Sequence, residues 1–350
     1  MKEILVDIYK VKDLYTGLGQ FSVNFANELI LRSPEAFHIT FLTPGNFEFK
    51  NSKKVSSIKA SLLKRYFPAF NRTYDIWHGL QQFPSFFPNK KSRFILTVHD
   101  LNFLLEKNEA KKQGYLKKLQ KNMDRADSIT TISDYTKKTI EAHLDLHGKS
   151  IRTIYNGITV NTLSEGCKPD YMDDRKFFFS IGIFSEKKNF HVLLPLLNHF
   201  KDQRLIIAGN KNTIYGRRLA QQIADMNLAN RVVLPGTVAD EEKTWLYRHC
   251  DAFLFPSLAE GFGMPVIEAM RFGKPVFLSK FTSLPEIGGD AACYFNNFDE
   301  EYMASFIKTK LSEYDGNEKL LSEKIRRHAE RFNWETCITQ YIKLYKEIIH

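Results

Sequence analysis

No apolar run in this chain of 350 residues approaches the roughly 20 residues that a membrane-spanning helix needs. Cysteine is scarce: Cys167, Cys250, Cys293 and Cys337 stand far apart and form no C-x-x-C pair. That spacing fits neither a zinc site nor a disulfide framework, so a reducing compartment is expected. Near the start, Glu3 and Asp7 interrupt any apolar core, which argues against a signal peptide. Repeats of solenoid period and low-complexity tracts are missing, as are zinc-finger, RNA-binding aromatic and basic-zipper patterns. These absences point to a soluble cytoplasmic protein with no nucleic-acid partner.

What remains is an ordinary globular composition, 43% hydrophobic and 26% charged, at a length that suits two domains. Short apolar runs alternate with amphipathic stretches throughout, the pattern of parallel sheets covered by helices. In the first half, strands are expected near 3–8, 38–42, 74–78, 93–98, 128–132 and 151–155. In the second they are expected near 177–181, 205–208, 232–234, 252–255, 276–278 and 293–295. Phe21, Phe25 and Leu29 mark one helix, Leu116, Leu119 and Met123 another, and the stripe Val192, Leu193, Leu196, Leu197 and Phe200 a third. A polar connector near 157–175 separates the halves, giving domains of about 1–160 and 161–334. A last amphipathic helix, 335–350, closes one of them. The charge is uneven. Residues 1–160 hold 25 Lys and Arg against 15 Asp and Glu, whereas residues 161–350 hold 25 of each. The first half is therefore expected to meet something anionic, or to carry a solvated basic face.

The densest chemistry lies between Ala252 and Pro275, AFLFPSLAEGFGMPVIEAMRFGKP. It reads as a strand, a loop carrying Glu260, the turn Gly261-Phe262-Gly263, and a helix that starts around Pro265 and holds Glu268. The start of a helix is a natural anion site, and flanking carboxylates suit a ligand with hydroxyls on both sides of its phosphates. Acidic residues near a helix start also complement its dipole without any ligand. Gly17-Leu18-Gly19 follows the first strand and would let the backbone approach a bulky ligand, or serve as a tight turn. His99 ends a strand in Thr97-Val98-His99-Asp100-Leu101, where it can bond a sugar hydroxyl, a phosphate or a neighbouring loop. Trp77-His78 ends an earlier strand and is expected to line the same cleft. Lys187-Lys188 follows the turn Ile181-Gly182 and can neutralise a diphosphate as a point charge, or stand as an exposed pair.

The run PSLAEGFGMPVIEAM resembles the E-x7-E signature of the retaining glycosyltransferases of family four, group 1. Glu186-Lys187-Lys188-Asn189, Asn156-Gly157-Ile158 and Ser283-Leu284-Pro285-Glu286 extend the resemblance over nearly the whole chain. Val98-His99-Asp100-Leu101 places it near the mannosyltransferase-like branch. Two departures stand out: Lys187 replaces the usual arginine, and Ala259 replaces a bulkier residue.

The resemblance implies a GT-B fold, α/β, with two doubly wound Rossmann-like domains facing each other across a cleft and the last helix returned to the first domain. It implies a hexose, mannose favoured, moved from a nucleotide diphosphate (GDP favoured) to a glycan or polyprenyl-linked acceptor in O-antigen or capsule synthesis. On this basis Glu268 binds the ribose diol, Lys188 neutralises the diphosphate, and Gly261, Phe262 and Gly263 supply backbone dipoles. Glu260 and His99 meet the donor sugar. Gly17 and Gly19 lie near the diphosphate and acceptor, and Val238 near the base. No metal or other cofactor is implied, because the chain has no clear D-x-D and Asp173-Asp174 falls in the connector. The competing readings are a GT-B protein that binds nucleotide sugar or scaffolds without transfer, and a phosphorylase or epimerase on the same fold.

One segment stands outside this pattern. KASLLKRYFPAF, Lys59 to Phe70, mixes Lys59, Lys64 and Arg65 with Leu62, Leu63, Tyr66, Phe67 and Phe70. It reads either as a helix packing its apolar side on the domain, or as a peripheral contact with the anionic inner face of the plasma membrane.

Overall fold

The computed structural model describes residues 1–13, 16–45, 47, 49 and 52–349. His350, the end of the expected closing helix, lies outside them. The chain divides into two compact units, Met1–Gly157 with Phe332–His350, and Ile158–Arg331. The divisions fall three residues before those expected at 160 and 334.

The sheet of the first unit contains β1 (Lys2–Asp7), β2 (Phe37–Thr43), β3 (Val55–Lys59), β4 (Ile76–Gly79), β5 (Arg93–Val98), β6 (Ser128–Thr131) and β7 (Ile151–Thr153), in the order β3-β2-β1-β4-β5-β6-β7. Every pairing is parallel. Near-continuous apolar runs such as Ile4-Leu5-Val6 satisfy this sheet because both of its faces are covered. The order turns at β1 and β4, so the loops after these strands diverge and open a crevice at their carboxyl ends. β3 was not expected from the sequence. It is a short edge strand, paired among the described residues with β2 alone.

Helix Gly17–Arg32 follows β1, with the Thr16 hydroxyl capping it by accepting from the Gly19 amide at 3.1 Å. Gly17 and Gly19 therefore form the first turn of the helix, not a loop before it. The helix buries Phe21, Phe25 and Leu29 against the last helix, Trp334–Ile349, which contributes Trp334, Ile338, Tyr341 and Tyr345 to the same core. His78 is fully buried in that core: Nδ1 pairs with the Tyr345 hydroxyl at 2.7 Å and Nε2 with Thr97 at 2.8 Å. Burial pushes its pKa down to about 3. His78 is thus a neutral structural pin, and the expectation that it lines a ligand cleft is corrected.

Asp7 ends β1 at the crevice, 2% exposed. One oxygen accepts from the Tyr9 amide at 3.0 Å, and the other has no hydrogen-bond partner among the described residues. Desolvation raises the Asp7 pKa from 3.8 to about 7. Across that window the folded chain keeps a proton that the unfolded chain has released, so this group's contribution falls as pH rises. Asp7→Asn should therefore melt above wild type at pH 8, by on the order of 4 kcal/mol, with the gap closing towards pH 4. Denaturant titrations at the two pH values measure it.

The sheet of the second unit contains β8 (Phe177–Ile181), β9 (Arg204–Ala208), β10 (Val232–Gly236), β11 (Ala252–Phe255), β12 (Val276–Ser279) and β13 (Cys293–Phe295), in the order β10-β9-β8-β11-β12-β13. These pairings are again all parallel, and the order turns between β8 and β11. The stripe from Val192 to Phe200 is not one helix. Asn189 takes a left-handed conformation, φ 56°, and Pro195 interrupts the amide ladder, leaving the short 3₁₀ turns Phe190–Leu193 and Pro195–Asn198.

Candidate active site

The loops that follow β8 and β11 carry the charged residues of the second unit's crevice. After β8 the chain makes the 3₁₀ turn Glu186–Lys188, which ends at left-handed Asn189 and turns Lys188 inward. The Lys188 ammonium meets Glu260 Oε1 at 2.5 Å and lies 4.6 Å from the centre of the Phe255 ring. The two side chains are only 10% and 13% exposed. Gly182 makes room for this lysine, since a Cβ there would fall 2.8 Å from Lys188 Cε.

Glu260 is held from several directions. The Ser257 hydroxyl donates to the same Oε1 at 2.6 Å, the Glu260 amide donates to the Thr282 hydroxyl at 2.9 Å, and Ser283 donates to the Glu260 carbonyl. Gly263 then caps helix Met264–Arg271 with φ 104°, a conformation that glycine adopts without strain. No side chain caps this helix start, so its positive end suits an anionic ligand. Phe262 is buried at 3%, which leaves its backbone as the part that can meet a ligand.

Glu268 lies one turn into that helix. Tyr247 donates to its Oε2 at 2.8 Å, and the Lys243 ammonium stands 3.7 Å from Oε1. Glu268, assisted by Asp240, raises the Lys243 pKa, keeping that side chain a cation. Val238 is half-buried in the loop after β10, next to helix Asp240–His249, which supplies both partners of Glu268.

In the first unit, His99 directly follows β5. Its Nε2 donates to the Leu80 carbonyl at 2.7 Å, which fixes the neutral tautomer and leaves Nδ1 as an acceptor. Burial pushes its pKa down to about 4. Its ring packs edge-on against Phe21, 5.1 Å between centres, one turn along the helix that Gly17 and Gly19 begin. The structure thus gathers Lys188, Glu260, Gly261, Phe262, Gly263 and Glu268 in one unit and Gly17, Gly19 and His99 in the other.

The model of the group 1 glycosyl transferases matches residues 168–327, and that of glycosyltransferase family 4 matches residues 31–162. The chain is a family-four, group 1 glycosyltransferase. It is 27% identical over 299 residues to the O-antigen chain mannosyltransferase B of Escherichia coli, covering 77% of this chain and 74% of that one. Its fold is similar to that of sucrose-phosphate synthase from Thermosynechococcus elongatus, with a TM-score of 0.80 at 17% identity over 99% of each chain. The Anabaena protein HepE, solved in complex with UDP-glucose, superposes with a TM-score of 0.73 at 19% identity over 99% of this chain and 100% of that one. Two Rossmann-like parallel-sheet domains and these neighbours identify the fold as GT-B.

Several residues of this glycosyltransferase's candidate site escaped the sequence reading. Ser257 stands three positions before Glu260, a spacing that could have drawn notice. Lys243 and Tyr247 occupy i and i+4 on one helix, so they share a face. Nothing in the sequence pairs that face with Glu268. A cavity of about 520 Å³ beside β13, lined by Tyr294, Phe306 and Leu321 among others, includes none of these residues. Among the described residues, no group of three His, Cys, Asp or Glu is placed to hold a metal ion.

Proposed function

We propose that this glycosyltransferase moves mannose from GDP-mannose to a hydroxyl of a glycan or polyprenyl-linked acceptor, with retention of configuration, in cell-surface polysaccharide synthesis. The observation that carries the reading is the Lys188–Glu260–Ser257 cluster beside the uncapped start of helix Met264–Arg271. The relatedness to an O-antigen mannosyltransferase supports the choice of sugar.

In this reading, donor binding exchanges partners. Lys188 leaves Glu260 for the diphosphate, and the freed carboxylate turns to the sugar ring, where it favours oxocarbenium-like charge. Glu268, oriented by Tyr247, accepts from the ribose diol, while Val238 and its neighbours border the base. The Gly261–Gly263 backbone and the helix start stabilise the leaving diphosphate, a task that Lys188 shares in place of a metal ion. His99 Nδ1 accepts from a sugar hydroxyl, with Gly17 and Gly19 near the acceptor. The bond from the anomeric carbon to the diphosphate oxygen breaks, the acceptor oxygen bonds on the same face, and its proton passes to the leaving phosphate oxygen. A polyprenyl-linked acceptor would hold the reaction at the cytoplasmic face of a membrane.

Thermal shifts with GDP, UDP, dTDP and ADP and their sugars, in the presence of chelator, test the donor. A ligand that binds only the folded state raises the midpoint by mass action. GDP and GDP-mannose are expected to give the selective shift, and Glu268→Ala to abolish it. A shift confined to another nucleotide would overturn the donor, and a shift that requires divalent ion would overturn the metal-free reading. The anomeric configuration of the product, read by NMR, tests retention.

A further inference from the structure

The structure separates the two readings of the segment from Lys59 to Phe70. A helix packed on its domain would bury its apolar side chains, yet Leu62 is 71% exposed, Leu63 62%, Tyr66 65%, Phe67 54% and Phe70 79%. No residue of helix Leu62–Tyr66 or of the 3₁₀ turn Pro68–Phe70 is buried. Five large apolar side chains thus project to the outside within nine residues, a concentration that marks an interaction surface.

The segment is nonetheless ordered and anchored. Ser61 caps the helix by accepting from the Lys64 amide, and the Lys64 ammonium bonds the Lys59 carbonyl at 3.0 Å. Buried Asn71 donates to the Lys64 carbonyl at 3.2 Å and to the Phe87 carbonyl at 2.8 Å, tying the far end to the domain. The Ala60 amide bonds the Thr43 carbonyl at the end of β2, tying the near end. Charge says what covers the prong. Lys64 and Arg65 stand within it, and residues 52–92 carry eight Lys and Arg against one acidic residue, Asp75.

We infer that this prong docks the first unit on an anionic lipid bilayer, its leucines and aromatic rings entering the interfacial layer while Lys64 and Arg65 meet lipid phosphates. Aromatic rings favour that layer, and a short apolar insertion gains strength from basic neighbours. Among the described residues no helix is long and apolar enough to cross a membrane. The docking surface stands independently of which sugar the second unit holds.

Flotation of the full chain with phosphatidylglycerol–phosphatidylcholine vesicles, against phosphatidylcholine alone, tests the inference. Wild type should float with the anionic vesicles, less so as salt rises. Lys64→Glu with Arg65→Glu should lower partitioning at least about tenfold, given that each basic side chain near an anionic surface contributes several-fold. Leu63→Glu with Phe70→Glu should lower it at least as far. Leu63, Arg65 and Phe70 are exposed and Lys64 is half-buried, so the Leu63–Phe70 variant should keep the wild-type melting midpoint and both variants the nucleotide-induced shift. Absence of wild-type flotation, or undiminished flotation of the Leu63–Phe70 variant, overturns the inference. So does conversion of a dimer to a monomer by that variant in light scattering, which would assign the prong to a contact between copies. A failed donor assignment would leave the flotation result untouched.

Discussion

Glu260→Gln should lower kcat/KM by roughly 10²–10³-fold while donor binding stays within a few-fold of wild type. The amide keeps the size of the carboxylate and can still accept from Ser257, so the loop should hold its shape. What it loses is negative charge beside the sugar ring, and that charge matters most when positive charge develops in the transition state. The loss should therefore appear in kcat. Lys188→Ala should behave differently. It removes the cation expected to meet the diphosphate, so donor affinity should fall along with kcat, and it leaves Glu260, 13% exposed, without its ion pair. Breaking a pair this sheltered destabilises by a few kcal/mol, so a lower melting midpoint should accompany the kinetic defect. Steady-state kinetics with donor-binding titrations separates the two variants. An unchanged kcat in Glu260→Gln would reduce Glu260 to a structural partner of Lys188.

Ending the chain after Arg331 should unfold the first unit. Helix Trp334–Ile349 buries Trp334, Cys337, Ile338, Tyr341, Leu344 and Tyr345. At roughly 1.5–3 kcal/mol for each large apolar side chain, the loss is on the order of 10 kcal/mol, comparable with the whole stability of a typical domain. Calorimetry of the shortened chain should lose the transition of the first unit and keep one that responds to nucleotide. Tyr345→Phe gives a graded version: it strips the partner from His78 Nδ1, at a cost of roughly 1–3 kcal/mol. Two full transitions in the shortened chain would refute the argument.

Most of the layout of the second unit's crevice was legible because it is written in consecutive residues. Strand, loop acid, glycine-flanked turn and helix follow one another from Ala252 to Arg271, and each constrains the next. The partners of those residues were not legible, because space and not sequence brings them together. Tyr247 reaches Glu268 from another helix, and Thr282 reaches the Glu260 amide from the loop after β12. His78 looked like a cleft residue until Tyr345, 267 positions away, was seen to cover it. β3 was missed because Val55-Ser56-Ser57-Ile58-Lys59 lies at a sheet edge, where half-polar sequence is tolerated. The stripe from Val192 to Phe200 misled because apolar spacing does not register the left-handed turn at Asn189 or the break at Pro195.

The first unit is discontinuous, built from Met1–Gly157 and from Phe332 onward. During synthesis its sheet leaves the ribosome early, but the aromatic face that shields Phe21, Phe25 and His78 comes last. The second unit, Ile158–Arg331, is complete before that face exists. Since domains generally fold as units in the order they emerge, the later half of the protein should reach its native state first. The earlier half then waits, part of its core uncovered, and that interval is when a nascent chain of this kind depends most on chaperones.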